Sequence, residues 1–571
     1  MSHDADAGLR RRAFLAWCGR AGVASTLFPG ALWAASEAGT SEVTTAMIDQ
    51  AARLAGLAFT AEERERMLAG VRANLAGFRE GRAVPIDQSV PPPLYFDPVV
   101  PGQRLEPVAA GFVLGPRRSV RRPERLEDVA FWPVTDLATL IETRQVSCVE
   151  LTELCLERLR RFDDVLHATV TLTEARALEQ ARALDAELAA GHYRGPLHGI
   201  PWGAKDLISV AGYRTTWGFT PYAEQVIDHD ATVVRRLDAA GAVLVAKLAT
   251  GEIARGDHWL GRQTRNPWKP EEGSGGSSAG SAAATAAGLV PFALGTDTLG
   301  SIVGPARTCG VTGLRPTFGR VSRDGVMPVC WSLDKVGPLC RSAEDCALVL
   351  HAIHGPDGLD RAVPDRPFAW DGARGLGGLR VGYLASAFER EASGARRDAL
   401  ENDRRTLEAL RALGVEPRPV ELPEHAELDA LQVLLVDEAA AFDELLQNGD
   451  VRYFRQDLED PEDVLLRVAR LFPAVEYVQV HRRRMLLMQG MARLFEELDV
   501  LVAPFAGSPQ QSATSLTGHP SVSVQNGFDG EDRPTGIQFV GRLYGEAEAL
   551  TLARHYQAAR GWHREHPQAF R

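Results

Sequence analysis

The stretch from Gly273 to Ser301 limits most tightly what this chain can fold into. It reads G-S-G-G-S-S-A-G-S-A-A-A-T-A-A-G-L-V-P-F-A-L-G-T-D-T-L-G-S. A cluster of serine and glycine comes first, then small helix-compatible residues, a short apolar run and a second Gly/Ser turn. Ser277 and Ser278 stand at the front of the small-residue segment, and Ser301 stands just after the apolar run. This layout brings separated hydroxyls together and leaves backbone N–H groups free to point at a substrate. Glycine is needed where the chain bends sharply and approaches a ligand closely.

Around this stretch the pattern alternates between helix and strand. Ser147-Cys-Val-Glu150 is a capping box that opens a helix to about Phe162, and Thr173 to Ala190 is a second helical segment. A helix over 232–240 is followed by a strand over 242–247. Further strands are expected over 289–294, 379–384, 415–420 and 500–503, and helices over 429–446 and 474–498. The rhythm implies an α/β fold with a buried, mixed or mostly parallel sheet. The 571 residues carry a net charge of -12, which argues against nucleic acid or an anionic membrane as the main partner. Seven cysteines with no CxxC pair make neither a disulfide scaffold nor a usual zinc site. Cys330, Cys340 and Cys346 are left as candidates for pairing, and Cys309 as a packing residue.

The N-terminus is organised differently. Arg10, Arg11 and Arg12 precede a moderately apolar run from Ala21 to Trp33 and small residues at Ala34 to Ser36. This resembles a twin-arginine export signal over 1–36. It implies the twin-arginine machinery as a partner and a periplasmic or secreted protein, with anchoring by an uncleaved signal left open. No other stretch reaches the roughly 18 apolar residues of a spanning helix. A small helical segment over 37–80 follows, with a capping box at Thr60-Ala-Glu-Glu63. A proline-dense arm or linker is expected over 81–133, and the main domain over 134–571.

Lys205 stands in the apolar stretch Gly199-Ile-Pro-Trp-Gly-Ala-Lys205-Asp206. Taken alone, it reads as a surface lysine paired with Asp206. The serine-rich stretch downstream changes that reading, because serine and lysine form a nucleophile/base combination when the amine is desolvated. These two stretches, with C-G-V-T-G-L-R-P-T from Cys309 and the later Leu516–Pro520 and Pro534–Gln538, resemble the amidase signature family over about 135–557. The resemblance implies a large central mixed β-sheet covered by helices on both faces, an amidase acting on a small-molecule amide, and no cofactor or metal. It implies Ser301 as the acyl-forming nucleophile, Ser278 as the bridging serine with a cis peptide before it, and Lys205 as the base. Ser277 is expected to support them and Asp297 to organise the loop. The oxyanion hole is expected from the amides of Thr298, Leu299, Gly300 and Ser301.

The chain departs from the family pattern at two places. Leu299 stands where a second glycine is common, and Val303 where an arginine is common, which leaves Asp297 in need of a partner such as Arg307. Residues 44–78 faintly resemble the small subunit that accompanies the tRNA-dependent amidotransferase amidase. An exported protein would not meet tRNA, so transamidation is not carried over from that resemblance; an amidotransferase-type glutaminase passing ammonia to a partner and a catalytically silent binding relative are kept as the alternatives. A homodimer is left open. Gly276-Ser-Ser-Ala-Gly280 matches G-x-S-x-G, but no strand precedes it. No G-x-x-x-x-G-K-[ST] motif accompanies the glycines. His351 and His354 lack a third ligand and read as ordinary helix residues.

Overall fold

A computed structural model describes residues 43–82, 90, 94–105, 110–455, 461–506 and 509–571. The export signal expected over 1–36, with Arg10 to Arg12, lies outside the described residues. The chain divides into two compact units, Met1–Val90 and Pro91–Arg571. In the first, α1 (Thr45–Leu54) and α2 (Ala61–Arg82) form two consecutive helices. The expected capping box closes the start of α2. Thr60 N donates to Glu63 Oε2 at 2.7 Å and Glu63 N donates to Thr60 Oγ1 at 3.2 Å. No helix among the described residues is long and apolar enough to cross a membrane.

The second unit is built on one sheet of 11 strands. In chain order they are β1 (Thr169–Leu172), β2 (Pro201–Lys205), β3 (Val243–Leu248), β4 (Phe292–Asp297), β5 (Thr312–Arg315) and β6 (Lys335–Cys340). Then come β7 (Val381–Leu384), β8 (Arg418–Val420), β9 (Val500–Pro504), β10 (Ser521–Phe528) and β11 (Pro534–Gly541). Their spatial order is β8-β7-β9-β11-β10-β5-β6-β4-β2-β3-β1. The sheet is mixed: β2 runs parallel to both β3 and β4, and β4 runs antiparallel to β6. Its central strands are buried along nearly their whole length because both faces are covered, while β1 and β8 at the two edges are only partly buried. Along β9, Val500 and Val502 enter one hydrophobic cluster, while Leu501 and Ala503 enter the other. Side chains alternate across a strand, so the two clusters lie on opposite faces of the sheet.

Several boundaries differ from those read in the sequence. The strand expected over 289–294 begins at Phe292 and runs to Asp297. Leu289 N closes the preceding helix onto Ala284 O at 2.8 Å, and antiparallel pairing with β6 draws polar Thr296 and Asp297 into the ladder. The helix expected over 429–446 breaks at Phe442 into Leu431–Ala441 and Asp443–Asn448. The described part of the proline-dense arm after Val90 belongs to the second unit. There Gly111–Val113 pairs in parallel with Ala369–Asp371, and Gly115 N donates to Glu344 Oε1 at 2.5 Å.

The pairing with Asp206 that Lys205 taken alone would suggest does not form, because consecutive residues point to opposite sides of the chain. Asp206 instead accepts from Lys247 Nζ on β3 at 2.7 Å, with both side chains fully buried. Its second oxygen accepts from Thr216 N at 2.9 Å and Thr216 Oγ1 at 2.5 Å. Asp206→Ala leaves the Lys247 ammonium buried without a counter-charge. It is expected to lower the free energy of unfolding by about 3–5 kcal/mol in urea titration. A loss under about 1 kcal/mol contradicts a structural role for the pair.

Candidate active site

The site forms where β2 and β4 end side by side. Lys205 is the last residue of β2, and Thr296 and Asp297 are the last two of β4. In open α/β sheets the carboxyl ends of parallel strands are where ligand crevices form. A helix over Ala279–Ala286, labelled α3 here, starts immediately after the serine pair, and all of its residues are buried. Only small residues fit against the sheet there. A Cβ on Gly280 would stand 2.4 Å from both Ala168 O and Ala249 N.

Lys205 Nζ donates to Ser277 Oγ at 2.8 Å and to Thr296 Oγ1 at 2.8 Å. Burial pushes its pKa down to about 7, against the opposing pull of Asp297 and Asp334. Ser278 faces away from the amine. Its hydroxyl donates to Thr296 O at 3.1 Å and accepts from Thr296 N at 3.2 Å. The cis peptide bond lies between Gly276 and Ser277, not before Ser278. By their hydrogen bonds the two serines exchange the places expected of them. Ser277 is aimed at Lys205, and Ser278 is left to pin the helix start to β4. Ser278 N also donates to Ser301 O at 3.1 Å, which ties the serine pair to the half-buried Ser301.

Asp297 organises the loop after β4. Its carboxylate accepts from Gly300 N and Ile302 N at 2.8 Å each, and from Val303 N at 3.3 Å. The Gly300 amide is thereby committed to Asp297 and drops out of the expected oxyanion set. The amides of Leu299 and Ser301 make no hydrogen bond among the described residues. The charge partner of Asp297 is Arg315 at the end of β5, 3.7 Å away, not Arg307, whose guanidinium lies over the Phe505 ring. Arg315 is fully buried and is also held by Ser515 Oγ and Thr514 Oγ1, each at 2.8 Å. Leu299 is not among the residues with positive φ, so a second glycine is not required there. The left-handed residue of the loop is Gly300, with φ +115°. Leu299 packs against the second hydrophobic cluster.

Three further residues belong to this site and carried no motif strong enough to single them out. Thr296 is the second acceptor for Lys205. Asp334 accepts from Thr298 Oγ1 at 2.7 Å and from Val329 N and Cys330 N at 2.8 and 2.9 Å. Lys335 pairs with Asp297 across the ladder and donates to Leu333 O, and burial with the nearby Arg315 pushes its pKa to about 7. The signal for the last two was an Asp-Lys pair interrupting an apolar run. Cys309, Cys330, Cys340 and Cys346 are all buried free thiols. No group of three or more potential ligands for a metal ion occurs among the described residues.

Residues 150–514 match the family model described as Amidase. The chain is 36% identical over 488 residues to the A-subunit of the glutamyl-tRNA(Gln) amidotransferase of Methylococcus capsulatus, covering 76% of this chain and 98% of that protein. Among solved structures it is similar to the peptide amidase of Stenotrophomonas maltophilia, with 32% identity, a TM-score of 0.67, and 76% and 98% of the two chains covered. It is likewise similar to a chain from a structure concerning the evolutionary origins of an s-triazine catabolic enzyme. That match has 30% identity, a TM-score of 0.69, and 75% and 99% coverage.

Asp297→Ala releases three loop amides and strips Arg315 of its counter-charge. It is expected to cost about 3–5 kcal/mol of unfolding free energy in urea titration. A cost under about 1 kcal/mol means that another group holds the loop.

Proposed function

We propose, from the premise that this chain belongs to the amidase family, that it breaks carboxamide C–N bonds through an acyl-enzyme on Ser301. The observation that carries the proposal is the 2.8 Å bond from the buried amine of Lys205 to Ser277 Oγ. An amine with a pKa near 7 is half neutral at neutral pH and serves as a general base. Lys205 takes the proton of Ser277 as Ser277 takes that of Ser301, and Ser301 Oγ bonds to the carbonyl carbon. The developing oxyanion accepts from the amides of Leu299 and Ser301, with Thr298 at the entrance to the loop. Ser277 then delivers its proton to the nitrogen and recovers one from Lys205. The C–N bond breaks, and the amine or ammonia leaves already protonated. Water next attacks the acyl carbon along the same proton path, releasing the carboxylate and restoring Ser301. Ser278 acts on this path only by fixing the backbone that presents Ser277.

Two versions of this chemistry differ in the amide and in the fate of the nitrogen. One is a stand-alone amidase. The other is a glutaminase that hands ammonia to a partner, and the curated relatives favour it. Amidotransferase A-subunits 32–36% identical align over 96–99% of their own length. The acyl-enzyme step is common to both.

Fluorophosphonate labelling followed by intact-mass measurement is expected to give one adduct on the parent and none on Ser301→Ala. Hydrolysis of glutamine with little action on other amides supports the ammonia-delivering version, and the reverse supports the stand-alone one. The labelling rate is expected to rise about tenfold per unit up to about pH 7 and to level above it, as the protonated amine of Lys205 is lost. An adduct on Ser301→Ala, or a flat pH profile on the parent, contradicts the proposal.

A further inference from the structure

A second site lies at the opposite end of β6. That strand starts at Lys335 beside Asp297 and ends at Cys340, so its far end is roughly 17 Å from the amide-cleaving loop at about 3.4 Å per residue. Arg341 follows it and lines a cleft of about 890 Å³. Arg118, Arg121, Arg554, His563 and Arg564 line the same cleft.

The charges there do not cancel. Arg118 faces Asp136 at 3.6 Å, but Arg121, Arg341, Arg554 and Arg564 form no ion pair among the described residues. The acids of the lining are already engaged for the most part. Glu127 is held by Arg158 at 2.8 Å and Arg161 at 3.0 Å, and Glu344 accepts from Gly115 N. Among the lining side chains described, Asp128 is a carboxylate that forms no ion pair. Arg341 is only 5% exposed. One of its terminal nitrogens donates to the carbonyl oxygens of Thr285 and Ala286 at the end of α3, and its plane lies 4.8 Å from the Phe131 ring centroid. Its Nε has no hydrogen-bond partner among the described residues, and neither do the buried Arg554 Nε and His563 Nδ1. A buried donor left unpaired is unfavourable, and a guanidinium fork suits clustered anionic oxygens. His563 senses the same positive field. Burial, Arg564 and Arg341 hold its pKa down at about 4.

We infer that this cleft is a binding site for a small multivalent anion, one carrying clustered phosphate or carboxylate oxygens. It is separate from the amide-cleaving centre. The test is calorimetric titration of the full chain with inorganic pyrophosphate and, separately, with tricarballylate, using acetate as the monovalent control. Saturable binding of at least one multivalent anion is expected, weakening with added salt, and the tighter of the two identifies the oxygen chemistry. Replacing the exposed pair, Arg121→Glu with Arg564→Glu, is expected to weaken that binding by at least about tenfold. Arg341→Gln is expected to do the same, and the exposed pair decides the matter if Arg341→Gln fails to fold. Binding by neither anion, or equal binding by the parent and the exposed-pair variant, overturns the inference.

Discussion

The site depends on an amine buried among hydroxyls. Lys205 and Lys247 end or nearly end neighbouring parallel strands, and both are fully buried. Burial lowers the pKa of Lys247 as well, but the carboxylate of Asp206 at 2.7 Å opposes that with a directly paired charge. Lys205 donates to Ser277 and Thr296, whose hydroxyls carry no charge, and the pull of Asp297 and Asp334 offsets only part of the effect of burial. A shift from 10.5 to about 7 corresponds to a preference for the neutral amine on the order of 5 kcal/mol relative to water. The same residue type is therefore ion-paired on one strand and, in the proposed mechanism, the base on the next. What separates them is the side of the strand each occupies.

The proposed base is useful only if the loop that carries Ser301 is held in place, and Asp297 supplies that hold. It gathers three amides of its own loop and is itself faced by the buried Arg315. Arg315 is anchored in turn by Thr514 and Ser515, far along the chain. The loop is thus fixed by residues from β4, β5 and the segment before β10. Val303 in place of an arginine costs the loop little, because the counter-charge arrives from β5.

Much of this was legible before any coordinates. Ser147 and Thr60 start helices where their capping boxes place them. The motif residues Lys205 and Asp297 end β2 and β4, and Ser301 lies on the loop after β4, where its carbonyl accepts from Ser278 N. The order within Ser277-Ser278 was not legible, because two adjacent serines are chemically identical and only the path of the backbone decides which one faces the amine. Arg315 was missed for a related reason: partnership across a sheet follows strand order, which local spacing does not encode. The doubt over Leu299 rested on an assumed backbone conformation that the loop assigns to Gly300 instead. The engagement of the Gly300 amide by Asp297 was likewise invisible in the sequence.

The central claim is that Ser277, not Ser278, carries protons between Lys205 and Ser301. Single-turnover acylation by an amide and by its ester analogue, measured on Ser277→Ala and Ser278→Ala, tests it most directly. An alkoxide leaves far more readily than an amine, so loss of the proton relay must harm the amide more than the ester. The relay predicts a fall of at least about a hundredfold for the amide in Ser277→Ala, with a smaller loss for the ester. It predicts parallel and lesser losses for both substrates in Ser278→Ala. A selective loss of amide cleavage in Ser278→Ala, with Ser277→Ala near the parent, would contradict it.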